Sequence, residues 1–151
     1  MMLDRQMLRK EVLALNLPAI VSAIIDGAEI PEELSYRCGS PFHSLSDESG
    51  LPVAFLPLWE CDVVAVGFDR GSRQYLKISI EEPSEPRFTV AAFEHAVADL
   101  MIDLWEDEVP DERLLEIAPL FGFDRMQSLI EALERGTEGD QDSWRATLRT
   151  G

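Results

Sequence analysis

The fold is decided by residues Leu51–Glu108, which read LPVAFLPLWECDVVAVGFDRGSRQYLKISIEEPSEPRFTVAAFEHAVADLMIDLWEDE. Three short strand-like runs, Val53–Trp59, Asp62–Phe68 and Gln74–Ile80, come first, and one long periodic segment closes the stretch. Because no helix-length run separates the strands, the pattern favours an antiparallel meander over Val53–Ile80 rather than a parallel doubly wound sheet. We therefore predict an α+β domain with a central, mainly antiparallel sheet flanked by helices.

The strands differ in their apolar patterns. Asp62–Phe68 is apolar on both faces, as expected of a central strand, whereas Gln74–Ile80 alternates, with Lys77 on its more polar side, and is predicted to be half-exposed. The turn residues Asp69–Ser72 predict an antiparallel hairpin between these two strands. Pro57 cannot donate a hydrogen bond to a ladder, which predicts an edge or a bulge in the first strand.

The long periodic segment, Thr89–Glu108, follows the acidic, proline-marked loop Glu81–Arg87. Its apolar residues recur at spacings of three and four, which predicts a helix with one face on the strands. The opposite face is predicted to contact solvent through Glu94, His95, Asp99, Asp103, Glu106 and Asp107.

Two helices are predicted before the strands. The first spans Leu3–Leu15, and the second has Asn16 as its N-cap and ends at Gly27. The stretch Glu29–Pro52 is rich in proline, glycine and serine and is predicted to be a loop, with a short strand near Leu34–Cys38.

Two more helices are predicted after the strands. The shorter one begins at Asp111 and ends at Pro119 or Gly122, and the last one runs between Asp124 and Gly136. At 151 residues the chain can bury a full core in one domain. We assign that domain to residues 1–136 and interpret 137–151 as an acidic linker with a short helical tail.

Charge is the strongest signal in the composition. The formal net charge is -16 and the pI is about 4.3. Nucleic acid and anionic membranes are disfavoured as partners, because each phosphate contact needs a basic group. A cationic partner is favoured, although an acidic surface that only maintains solubility would give the same composition.

The cysteines and the N-terminus bear on the compartment. Cys38 and Cys61 are the only cysteines, which is too few for a disulfide framework and fits a reducing environment. The start of the chain mimics a signal peptide, but Asp4, Glu11 and Pro18 interrupt the required pattern. No apolar run approaches the ~20 residues that span a bilayer. A cytoplasmic location is therefore expected.

The sequence contains four residues of the types that bind zinc, as many as a tetrahedral zinc site needs: Cys38, His43, Cys61 and His95. They do not come in the close pairs that structural zinc sites use, so no metal site is predicted. Nothing marks either cysteine as an activated nucleophile, and no glycine-rich phosphate loop is present. We predict no catalytic residue and no cofactor.

Acidic residues supply the best functional lead. Asp99, Asp103 and Asp107 follow one another at intervals of one helical turn, where like charges repel by a few tenths of a kcal/mol. The segment Glu81–Glu116 carries twelve acids against two arginines. Such a surface either is simply solvated or binds a cationic partner.

The order of elements resembles the SUKH superfamily. The likeness is carried by Leu17-Pro18 before an apolar helix ending at Gly27, by strands containing Leu56–Trp59 and Val63–Phe68, and by Val90–Phe93 opening a long amphipathic helix. The resemblance implies an α+β fold and a binding protein without an active site. Its bacterial members are mostly immunity proteins that neutralise toxins, many of them nucleases.

We therefore predict a non-catalytic module that binds a basic protein, and the resemblance implies that it is an immunity protein. The alternative is an intracellular adaptor or regulatory subunit that binds a host protein through an apolar patch. The predicted partner-binding residues are Glu81, Glu82, Glu85, Glu94, Asp99, Asp103, Glu106 and Asp107.

Overall fold

The computed structural model describes residues 4–41, 45, 50–52 and 54–135. Its helices are α1 (Arg5–Leu13), α2 (Ala19–Asp26), α3 (Phe93–Glu106), α4 (Asp111–Ile117) and α5 (Met126–Arg135), with short 3-10 helices at Glu32–Leu34 and Ala118–Phe121. Its strands are β1 (Phe55–Cys61), β2 (Val64–Asp69), β3 (Gln74–Ser79) and β4 (Phe88–Val90). The predicted tail 137–151 lies outside the described residues, as does the predicted helix stop at Gly136.

The four strands form one antiparallel sheet in the order β1-β2-β3-β4. This arrangement confirms the predicted α+β class and the meander. Asp69 pairs with Gln74, and its carboxylate accepts hydrogen bonds from the Ser72 amide at 3.0 Å and hydroxyl at 2.8 Å, which tightens the predicted hairpin turn. β1 lies at the edge of this sheet and its register shifts between Pro57 and Trp59, as the proline predicted.

Three local predictions are wrong. The fourth strand was not predicted, and its residues Thr89 and Val90 were assigned to the long helix, because Phe88–Val90 is too short to show a period and forms through pairing with β3. No strand occurs over Leu34–Cys38, where a 3-10 helix is followed by a single bridge from Gly39 to β1. Asn16 does not cap α2; it adopts a left-handed turn with φ of 57°, and Pro18 precedes the helix instead.

Helix α3 lies at the centre of the core. Every residue from His95 to Ile102 is buried, because α3 contacts β3 and β4 on one side and α4, α5 and the Ala118–Phe121 turn on the other. His95 and Asp99 are only 8% and 6% exposed, so their assignment to a solvated face was wrong. A helical pattern separates two faces but does not tell whether one or both will be covered.

The face of β3 that packs on α3 is its polar face. Tyr75 lies in the main core and its ring is 5.6 Å from that of Phe93, and Lys77 reaches α3 as well. Leu76 and Ile78 point to the opposite side of the sheet, where they pack with Phe55 and Ala65 in a second, smaller cluster. Both faces of β3 are therefore covered, and the prediction that this strand is half-exposed was wrong.

The described helices include none with the length and apolar character needed to cross a bilayer.

Gly67 is the position where a side chain would disturb the sheet most. A Cβ atom there would lie 2.2 Å from the Leu56 carbonyl oxygen and 2.7 Å from the Phe55 ring. We expect Gly67→Ala to lower the free energy of unfolding by about 1–3 kcal/mol or more, as overpacking does. Urea denaturation measures this change.

Gly71→Ala is the matched control. Its Cβ would lie 3.6 Å from the Asp69 carboxylate and 4.0 Å from the Ala54 Cβ, which are ordinary van der Waals distances, so near-wild-type stability is expected. Equal effects of the two substitutions would contradict the close approach of β1 to β2 at Gly67.

Candidate functional site

A cleft of about 340 Å³ opens between the sheet and α3. Trp59, Val66 and Leu100 give it an apolar floor. Its remaining walls are charged or polar and are formed by Tyr36, Arg37, Cys61, Asp62, Lys77, Arg87, Asp99 and Asp103, with Val63, Val64 and Ala96 between them. The cleft therefore combines an apolar interior with ionisable groups.

Lys77 joins the sheet to α3 at the base of this cleft. Its ammonium donates hydrogen bonds to Asp99 Oδ2 at 2.9 Å and to Asp103 Oδ2 at 3.2 Å. The side chains of Lys77, Asp99 and Asp103 are 16%, 7% and 13% exposed, so all three charges are shielded from solvent. Because buried carboxylates need a partner, these contacts explain how two aspartates come to lie against the sheet. Both aspartates line the cleft, where they are shielded from bulk solvent and paired with Lys77.

Arg37 holds the C-terminal end of α3. Its guanidinium forms a two-pronged contact with Asp107, Nε to Oδ2 and Nη2 to Oδ1, both at 2.8 Å, and Nη1 lies 3.9 Å from Asp103. The hydrogen bonds from Arg37 lower the pKa of Asp107, and they raise the pKa of Arg37. The last turn of α3 carries no basic residue of its own, so Arg37 supplies the positive charge that a helix C-terminus favours.

Tyr36 stands at the mouth of the cleft. Its side chain is 61% exposed and its hydroxyl donates a hydrogen bond to Asp62 Oδ2 at 3.3 Å. The neighbouring Cys61 thiol, followed by Asp62, raises the pKa of Tyr36. Asp62 itself sits in the β1–β2 turn with φ of 53°, which turns its carboxylate toward this end of the cleft.

The chain direction of α3 brings other acids to the same end of the molecule. The helix begins at Phe93 beside Tyr75 and passes Lys77 at Asp99 and Asp103, so its C-terminus points toward the end of β3. The β1–β2 turn and the β3–β4 loop leave the sheet at that end too. The exposed acids there, which we call the acidic end, are Asp62, Glu81, Glu82, Glu85, Glu106 and Glu108.

The predicted partner-binding residues thus divide into separate groups. Four of them belong to the acidic end: Glu81, Glu82, Glu85 and Glu106. Asp99, Asp103 and Asp107 are held by Lys77 and Arg37. Glu94 lies at the opposite end of α3, where Arg125 approaches it at 3.6 Å.

Sequence reasoning missed the cleft and its internal cations. Lys77 is the only charged residue of β3, and Asp99 and Asp103 are spaced one turn apart on the next helix. That complementarity was a usable signal, because a lone lysine in a strand needs a carboxylate if its face is covered. Arg37 gave no comparable signal, since its segment has no regular period.

The residues considered for metal binding do not assemble. Within the described ranges no three His, Cys, Asp or Glu side chains gather as a metal site would require. His95 lies at the buried start of α3, its Nε2 3.8 Å from Glu94, and its Nδ1 has no hydrogen-bond partner among the residues that the structure describes. His43 is outside the described residues.

Comparison of the chain with protein-family models, with curated proteins and with solved structures gives no match. The likeness to the SUKH superfamily therefore stays a prediction.

Arg37→Gln tests the clamp at the end of α3. Without the guanidinium, the pKa of Asp107 should rise from its lowered value toward the ordinary 3.8, which carboxyl NMR titration measures. A depressed carboxyl pKa stabilises the fold above the unfolded pKa, and this contribution disappears as pH falls through the folded pKa. The variant should therefore lose stability at neutral pH and match the wild type in strong acid.

Glu33 is the internal control for that titration. Its hydrogen bond from Arg113 lowers the pKa of Glu33 to about 2, and this value should be the same in both proteins. An unchanged Asp107 titration in the Arg37 variant would show that the clamp does not form.

Proposed function

We propose that this chain is a non-catalytic binding module whose acidic end and adjoining cleft receive a basic protein. The observation that supports it most is the convergence of exposed acids from three separate segments, the β1–β2 turn, the β3–β4 loop and the end of α3. The fold does not require these acids to lie together. A surface that attracts a cationic partner does require it.

The C-terminal end of α3 carries consecutive acids that do not stabilise the helix. Glu106, Asp107 and Glu108 follow one another at the negative pole of the helix, where each acid is unfavourable by about 0.3–1 kcal/mol. Arg37 offsets the charge of Asp107. Acidic residues that oppose the stability of their own helix are typical of surfaces kept for an interaction.

The acids and the cleft would act at different stages of binding. A surface of one sign accelerates encounter with an oppositely charged protein, and this effect weakens as salt screens it. The cleft would then supply the anchor, because apolar, desolvated pockets carry most of the energy of an interface. Tyr36 at the mouth offers an aromatic ring and a hydroxyl to an entering side chain.

The absence of chemistry is also part of the proposal. Asp99 and Asp103 face the cleft but hold Lys77, and Asp107 holds Arg37. These carboxylates serve the fold and are not poised as a general acid and base.

The SUKH resemblance extends the proposal to a particular kind of partner. Under it, the chain is an immunity protein, and the basic surface is that of a nuclease-type toxin that acts in the cytoplasm. Enzymes that cleave nucleic acids carry cationic substrate grooves, which an acidic protein can cover.

The adaptor function is the second candidate. It is favoured by Leu115 and Leu120, which are 39% and 44% exposed on α4 and the turn after it. A partner bound through these residues would stay bound at about molar salt, because screening acts on charges and not on apolar contacts.

Neutralising the β3–β4 loop tests the first candidate. The variant Glu81→Gln, Glu82→Gln, Glu85→Gln removes three exposed charges without touching a buried residue. Against a toxin domain encoded beside the chain, we expect the association rate at low salt to fall by roughly tenfold or more, and growth rescue on co-expression to weaken.

The control variant removes three exposed charges elsewhere, through Glu29→Gln, Asp124→Asn and Glu131→Gln. It should bind and rescue like the wild type. An equal loss of association rate in both variants would show that net charge, and not the acidic end, attracts the partner. Failure of the wild-type chain to rescue growth from any adjacent effector would contradict the immunity function.

A further inference from the structure

We propose that Cys38 and Cys61 form a reversible dithiol–disulfide site on the wall of the cleft. Cys61 is the thiol that reacts first, and Cys38 is the thiol that resolves the intermediate. The reagent is a low-molecular-weight disulfide of the glutathione kind. The site is independent of whether the cleft binds a protein.

The register of one short bridge places the two cysteines opposite each other. The Gly39 amide donates to the Glu60 carbonyl at 2.9 Å, and the Glu60 amide donates to the Gly39 carbonyl at 2.9 Å. Such a reciprocal exchange defines a hydrogen-bonded antiparallel pair. Because hydrogen-bonded and non-hydrogen-bonded pairs alternate in an antiparallel pairing, we infer that Cys38 and Cys61, one step along each segment, occupy the next, non-hydrogen-bonded position.

Non-hydrogen-bonded pairs have the geometry that a cross-strand disulfide needs. Their Cα atoms are typically about 4.5 Å apart, and disulfides span about 4.4–6.8 Å between Cα atoms. The backbone agrees with this position, because the Cys38 amide points away from β1 and donates to the Leu34 carbonyl at 2.8 Å.

The two thiols differ in access. Cys61 is half-buried and lines the cleft, whereas Cys38 is 1% exposed and belongs to the main core. Burial, followed by the proximity of Cys61, raises the pKa of the Cys38 thiol. A shielded thiol with a raised pKa is a poor first nucleophile, but it is well placed to attack a sulfur held in front of it.

The reaction balances in two exchange steps. The Cys61 thiolate attacks one sulfur of glutathione disulfide, which forms a mixed disulfide and releases one glutathione thiolate that takes up a proton. Cys38 then loses its proton and attacks the Cys61 sulfur, which releases the second glutathione. Two protein thiols are oxidised and one glutathione disulfide is reduced to two glutathione molecules.

The disulfide would fasten the segment that carries Tyr36 and Arg37 to β1. These residues form the mouth of the cleft and the clamp on α3. The thiol state would therefore set how freely the mouth can adjust to an occupant.

The test treats the reduced, full-length chain with glutathione disulfide under native conditions. Intact mass and non-reducing peptide mapping follow the product. We expect the wild type to lose two hydrogens and to yield a peptide that joins Cys38 to Cys61. A stable glutathione adduct, a covalent dimer through Cys61, or no reaction would each overturn the proposal.

Two variants assign the order of the steps. Cys38→Ser should accumulate the mixed disulfide at Cys61, because the resolving thiol is gone. Cys61→Ser should react at least roughly tenfold more slowly than the wild type, since the remaining thiol is buried. Equal reaction rates of Cys61→Ser and the wild type would contradict the order. If either variant fails to fold, the wild-type peptide map still shows whether the disulfide between Cys38 and Cys61 forms.

Discussion

The ammonium of Lys77, held between two carboxylates of α3, is the contact on which the rest of the arrangement depends. It fixes the rotation of α3 on the sheet, because Asp99 and Asp103 must both face β3 to reach it. If α3 were rotated so that both aspartates pointed elsewhere, Lys77 would be buried against an apolar helix face without a counter-charge, at a penalty of several kcal/mol. The charged side chains of β3 and α3 therefore provide one another with hydrogen bonds and counter-charges inside the molecule.

This orientation has consequences for the surface. With Asp99 and Asp103 turned inward, and Asp107 clamped by Arg37, the acids that remain exposed near the cleft are those of the acidic end. The three groups of this contact also line the cleft between the sheet and α3. Cys61 lines the same cleft beside Tyr36.

The sequence was sufficient for the strands β1 to β3, their hairpin, the bulge at Pro57 and the existence of the long helix, because each has its own period or turn residue. It was insufficient for β4, which exists only as a partner of β3. It was also insufficient for the burial of Asp99 and His95, since a periodic pattern describes one element and burial depends on what packs against it. The convergence at the acidic end required the direction of α3, which no local pattern gives.

The most direct test is a double-mutant cycle on Lys77 and Asp99, with Lys77→Met, Asp99→Asn and the double variant compared by urea denaturation. A shielded, hydrogen-bonded ion pair predicts a coupling energy of about 1–3 kcal/mol. That value should change little at about 1 M salt, because buried pairs are weakly screened. Additive single effects, within about 0.5 kcal/mol, would contradict the contact between the sheet and α3 from which the cleft and the acidic end are derived.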